Sequence, residues 1–129
     1  LYRGKRQDMD SYFPIIEAIS DSLGFIKSNP GGGYGWKADN VVGIGDSVEV
    51  RVSSTDPMGE SLEYSISKYY TPGTEHWSSE PWAEIFFTES DVGKECTVHI
   101  KIRTRRKDHA HTYYDDWTTL IYHVRPNLA

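Results

Sequence analysis

"GDSVEVRVSSTDPMGESLEYSIS", residues 45–67, decides the fold. Val48, Val50 and Val52 alternate with Glu49, Arg51 and Ser53. Beyond Asp56-Pro57-Met58-Gly59-Glu60, Leu62, Tyr64 and Ile66 alternate with Glu63, Ser65 and Ser67. Successive side chains of a strand point to opposite faces, so each run has one apolar face and one wet face. The corner between them admits two readings. Pro57 presets φ, Gly59 supplies a positive φ and Asp56 accepts hydrogen bonds from nearby backbone N–H groups, which describes a bend between strands. Asp56 and Glu60 are also two carboxylates on a short turn, the beginning of a calcium site. Calcium takes roughly six to eight oxygens, so two acids make a poor cage, and we read the corner as a turn.

The same alternation recurs downstream. Ile85 and Phe87 share a face before a turn at Asp91-Val92-Gly93. Cys96, Val98, Ile100 and Ile102 alternate with Thr97, His99, Lys101 and Arg103. Leu120, Tyr122 and Val124 face one side of the last run, with Trp117, Ile121 and His123 toward the other, and Pro126 ends it. Residues 11–28 are ambiguous. Phe13, Ile16, Ile19, Leu23 and Ile26 recur at steps of three and four, as on a helix face. The competing reading is a strand over Pro14–Ser20 with a second short strand around Phe25, and the β character of everything downstream favours it. "GGGYG", residues 31–35, holds no regular structure and presents Tyr34 and Trp36 in an irregular loop. Five clear strands plus one or two before them, separated by short turns, predict an all-β chain. The expected architecture is an immunoglobulin-like antiparallel β-sandwich of about seven strands with an N-terminal extension. Residues 1–12 read as a linker or the tail of a preceding domain, and 13–129 as a single domain.

Composition excludes some functions. A net charge of −5 argues against nucleic acid as a partner. The basic run Arg103–Lys107 is followed at once by Asp108 and reads as a solvated loop. No apolar run is long enough to insert in a membrane. The single cysteine, Cys96, lies in an alternating stretch and reads as a small buried core residue rather than a nucleophile. Its lack of a partner tilts the compartment toward a reducing, cytoplasmic one. Neither a Gly-x-Ser-x-Gly elbow nor a phosphate-binding loop is present, so no enzyme activity and no cofactor are expected. The first residue is Leu, so the chain reads as a piece of a longer polypeptide whose upstream domain is a natural partner.

Three elements together resemble a known family. They are Gly45, Asp46 and Val48; then Asp56, Pro57, Gly59, Leu62 and Tyr64; then Asp91, Gly93, Cys96, Val98 and Ile100. Over residues 44–125 this order resembles the PKD-like and cadherin-like branch of immunoglobulin-fold modules in prokaryotic multidomain proteins. Such modules are mostly spacers or adhesion and recognition domains, which is what the resemblance implies here. Calcium-binding members spell the corner with more acid than Met58 and Glu60 provide. This chain also departs in its longer segment before Gly45 and in "RRKDHAHTYYDD", which reads as an enlarged final hairpin loop.

The candidate binding residues lie in loops. His109, His111, Asp115 and Asp116 hold the atoms of a metal site, yet the His-x-His pair has no third ligand at a recognisable spacing, so no metal is expected. Tyr113 and Tyr114 read as a ligand-contacting surface on the same loop. Trp36 and Trp77 are loop tryptophans able to stack on a sugar ring or anchor a protein interface, while Trp82 or Trp117 is expected to fill the core. The expectation is a non-catalytic recognition module, extending to a sensor role, that contacts a protein, small ligand or glycan through Tyr34, Trp36, Trp77 and the His109–Asp116 loop. One alternative is a structural spacer, which should bury all four tryptophans; another is a metal-binding or enzymatic site on the His109–Asp116 loop.

Overall fold

The structure is a computed structural model, which describes residues 13–24, 26–28, 37–69, 73–107, 111 and 113–126. Tyr34, Trp36, His109 and the 1–12 segment lie outside the described residues. Among the described residues eight strands form in chain order: β1 (Ile15–Asp21), β2 (Ile26–Ser28), β3 (Lys37–Gly43), β4 (Ser47–Thr55), β5 (Glu63–Lys68), β6 (Trp82–Phe86), β7 (Glu95–Lys107) and β8 (Tyr113–Arg125). They make two four-stranded sheets, ordered β2-β1-β4-β6 and β3-β8-β7-β5. All pairs are antiparallel except β3 with β8, which run parallel. The chain is therefore an all-β sandwich. No helix among the described residues is long and apolar enough to cross a membrane.

The apolar faces read from the sequence meet between the sheets. Val48, Val50, Val52, Ile85 and Phe87 come from one side, and Cys96, Val98, Ile100, Ile102, Leu120, Tyr122 and Val124 from the other, all buried. Burial of each such side chain contributes about 1.5–3 kcal/mol. Leu62, Tyr64 and Ile66 pack against this core as its partly buried rim. Cys96 is fully buried and unpaired, as its strand position predicted.

Residues 15–21 are strand, and the helix-like spacing has a physical cause. The register of β1 against β4 slips between Ile16 and Ala18, so a bulge inserts an extra residue. Ile16 and Ile19 both face inward three residues apart, while Phe13, Leu23 and Ile26 stay exposed.

Neither Trp82 nor Trp117 fills the core: their exposures are 40% and 39%. Both occupy outward positions, Trp82 on β6 and Trp117 on β8 beside the outward Thr119–His123 row's parity. The aromatic filling comes instead from Phe87 and Tyr122, whose ring centroids lie 5.3 Å apart. The Tyr122 hydroxyl donates to Asp21 Oδ2 at 2.5 Å, which ties the two sheets together through a buried polar contact. Burial, with the Asp21 carboxylate beside it, pushes the Tyr122 phenol well above its ordinary pKa.

The basic run is strand rather than loop. β7 continues to Lys107 and β8 begins at Tyr113, so much of "RRKDHAHTYYDD" belongs to a long hairpin ladder. Between the Arg103–Asp115 and Lys107–Tyr113 pairs the register shifts, and buried Thr104 fills the irregularity. Its hydroxyl bonds the Tyr114 carbonyl at 3.3 Å and accepts the Arg106 N–H at 3.2 Å.

Arg106 also answers the question of the corner. Its guanidinium makes a two-pronged pair with Asp56, Nη1 to Oδ2 and Nη2 to Oδ1 at 2.8 Å each, and reaches Glu60 at 3.2 Å. The Asp56 side chain is 1% exposed. It also accepts the Glu60 N–H at 3.0 Å, while the Gly59 N–H donates to the Asp56 carbonyl at 2.9 Å and Gly59 takes φ 70°. Hydrogen bonding to Arg106 holds the Asp56 carboxyl below its ordinary pKa. The cation shared by the corner's acids is thus a guanidinium. Arg106→Met, which leaves Asp56 buried without its partner, should cost about 3 kcal/mol in urea unfolding. Added calcium should restore none of it, and recovery with calcium would reinstate the metal reading.

Candidate functional site

The register of β7 with its neighbours writes the outer face of the second sheet as rows. Glu63, Arg103 and Asp115 lie side by side across β5, β7 and β8; Ser65, Lys101 and Trp117 form the next row; Ser67, His99 and Thr119 the third. Strand alternation places all of them on the face opposite the core. The segment between β5 and β6 then covers part of this face. Tyr64 and Ser78 exchange backbone hydrogen bonds at 2.8 and 2.9 Å, an isolated bridge that pins the segment to β5. That bridge carries Trp77 over the first row.

Trp77, Arg103 and Tyr113 form a stack. The Arg103 guanidinium carbon lies 4.0 Å from the Trp77 ring centroid and 4.4 Å from that of Tyr113. Arg103 Nε is held by Glu63 at 2.9 Å. The Lys107 ammonium continues the series, 4.6 Å from the Tyr113 centroid. Each cation–π contact at a partly exposed site contributes about 0.5–1 kcal/mol, so the stack is a rigid support for the rings.

Beside it opens a cleft of about 160 Å³, lined by Glu75, Trp77, Lys101, Arg103, Tyr113 and Asp115. Lys101 Nζ stands between two carboxylates, 3.4 Å from Glu75 Oε2 and 3.5 Å from Asp115 Oδ2. Burial raises the Asp115 carboxyl above its ordinary pKa against the pull of Lys101. In the third row His99 is buried under Trp117, the two rings stacked with centroids 5.2 Å apart. Burial, then the Lys101 charge, lowers the His99 pKa. Perturbed titratable groups at a cleft mark a candidate site.

Of the residues singled out in the sequence, Trp77, Tyr113 and Asp115 line the cleft. Their neighbours on β8 do other work, because alternation sends them inward. Tyr114 packs edge-to-face on Phe13 with centroids 5.0 Å apart. Asp116 Oδ2 accepts the Ile16 N–H at 2.9 Å, joining β8 to β1. His111 is exposed with φ 62° and is not among the cleft's lining residues. Among the described residues no three His, Cys, Asp or Glu gather as metal ligands. Lys101, Arg103 and Glu75 were not foreseen as site residues; the outward parity of Lys101 and Arg103 was the available signal, and Arg103 was also counted in the basic run read as loop. Comparison of the chain with family models, curated proteins and solved structures finds no match.

Two predictions follow from the charge balance of this face. A buried neutral imidazole binds fewer protons folded than unfolded, so its stabilising contribution is present above about pH 6.5 and fades as pH falls below that value. Unfolding free energies at pH 7 and pH 5 should differ less in His99→Phe, which keeps the stack, than in the parent chain. An equal difference would remove His99 from the account. Asp115 has the opposite sign: a raised carboxyl pKa means that its ionisation weakens the fold at neutral pH. With its side chain 34% exposed, solvent screening limits the effect to about 0.5 kcal/mol, so Asp115→Asn should raise Tm by roughly 2 °C, and a lowered Tm would contradict the burial assigned to it.

Proposed function

We propose that the protein is a non-catalytic recognition module and that the cleft on the outer face of β5, β7 and β8 is its contact site. The observation that carries this reading is the cleft itself, a concavity with Trp77 and Tyr113 held rigid by Arg103 and charged groups converging beside them. Aromatic rings fixed by packing bind at low cost in side-chain entropy, and carboxylates and cations around them supply direction. The immunoglobulin-like expectation belongs to this proposal. It draws support from the strand order, with β4 and β6 paired in one sheet, β5, β7 and β8 adjacent in the other, and β3 returning parallel to β8.

The spacer reading is less favoured, because it expects every tryptophan buried. Trp82 and Trp117 are exposed and Trp77 stands half-buried at the edge of a concavity. The resemblance to PKD-like and cadherin-like modules accommodates either role.

A fragment panel titrated into ¹⁵N-labelled protein tests the site. Perturbed amides should cluster at residues 75–77, 101–103 and 113–115. Perturbations centred on the other sheet, around Trp82 and Phe86, would move the contact surface there, and a silent spectrum throughout would favour the spacer.

A further inference from the structure

Resting on the reading of the cleft as a recognition site, we infer that its ligand is an uncharged pyranose ring, a neutral sugar unit.

Size comes first. The cleft holds about 160 Å³ and is open to solvent; a closed cavity of about 150 Å³ accepts benzene, so the cleft seats one ring and leaves the ring's outer substituents in water. Charge comes second. The lining carries two cations, Lys101 and Arg103, and two carboxylates, Glu75 and Asp115, so its charges balance. Just outside the lining Glu63, 2.9 Å from Arg103, and Lys107, beside Tyr113, add one charge of each sign and keep the balance. A ligand with its own net charge has to displace one member of an ion pair and leave the other half-buried, which is costly. A neutral ligand displaces none.

Spacing selects among neutral ligands. Close charge-assisted hydrogen bonds between an ammonium and a carboxylate run at about 2.7–2.9 Å. Lys101 stands 3.4 Å from Glu75 and 3.5 Å from Asp115, a looser arrangement. A hydroxyl suits it because it donates to a carboxylate and accepts from an ammonium at once. Adjacent hydroxyls on one ring can serve both Lys101–carboxylate pairs without breaking either charge balance. The C–H side of the ring would meet the part of Trp77 and Tyr113 at the cleft wall that Arg103, which lies over both rings, leaves uncovered. Aromatic hydrocarbons would take water from these charged groups and offer no hydrogen bond in return.

The test is a titration of the ¹⁵N-labelled 129-residue chain with methyl glucoside, methyl galactoside and methyl mannoside. A single ring on an open site binds at about 1 mM, so titration extends well above that. At least one neutral glycoside should shift the amides around Trp77, Arg103 and Asp115. Asp115→Ala, which removes an acceptor, and Trp77→Ala, which removes the apolar wall, should each weaken binding roughly tenfold. Spectra away from the cleft report whether either variant has lost its fold; binding retained by both folded variants would overturn the site. Glucuronate and glucosamine form the charged arm. If they bind and the neutral glycosides do not, the ligand class is wrong while the recognition site stands. If no ring binds, the class is wrong and the fragment panel decides the recognition reading by itself.

Discussion

A strand repeats every two residues, so a pairing slip of one residue would exchange the two faces of β7 completely. The rest of the molecule depends on that register. With Ile102 opposite Tyr64 and Ile100 opposite Ile66, four fully buried positions, Cys96, Val98, Ile100 and Ile102, face the core. The same register leaves Thr97, His99, Lys101 and Arg103 outside, where Arg103 stands between Glu63 and Asp115. Core and cleft are therefore two consequences of one alignment. Moving it by a residue would bury an arginine and a lysine, a cost that no outward packing offsets.

Polar groups brace the sandwich away from that face. The buried carboxylate of Asp91, in the 3₁₀ turn Glu89–Asp91, receives the Lys68 ammonium at 2.8 Å, the Tyr69 hydroxyl at 2.7 Å and the Thr88 N–H at 2.9 Å. Burial alone would raise its pKa, but these three donors outweigh burial and hold it at about 2. Asp56 and Arg106 perform the same service at the corner after β4. Asp56, weighed in the sequence as a calcium ligand, and Asp91, read there as part of a turn, are both committed to holding turns. The groups that line a concavity open to solvent are those of the cleft; Lys101, Arg103, Tyr113 and Asp115 come from the strands β7 and β8, and Glu75 and Trp77 from the segment laid over them.

Much of the fold was legible because alternation is local. Val48–Val52, Leu62–Ile66, Cys96–Ile102 and Leu120–Val124 each announce their inward face without reference to anything distant. Bulges were not legible: Ile16 and Ile19 imitate a helix because one inserted residue resets the alternation between them. Parity could also have placed Trp117 outside, since it shares a face with Ile121 and His123. The expectation of a buried tryptophan overrode that signal. The site was legible in part. Trp77, Tyr113 and Asp115 were chosen as loop residues, and two of them turn out to be strand residues. Their meeting with Arg103 depends on the Ser78–Tyr64 bridge and on the pairing of β7 with β8, contacts between segments far apart in the chain. The Asp56–Arg106 pair spans fifty positions for the same reason.

The stack of Trp77, Arg103 and Tyr113 is where register, bridge and cleft all meet. Its proton chemical shifts report that meeting directly. An Arg103 side chain held between two aromatic rings should show its methylene protons moved strongly upfield by the ring currents, with nuclear Overhauser contacts to both rings. Arg103 methylene shifts at the values of an unstructured arginine, with no contact to either ring, would contradict the account.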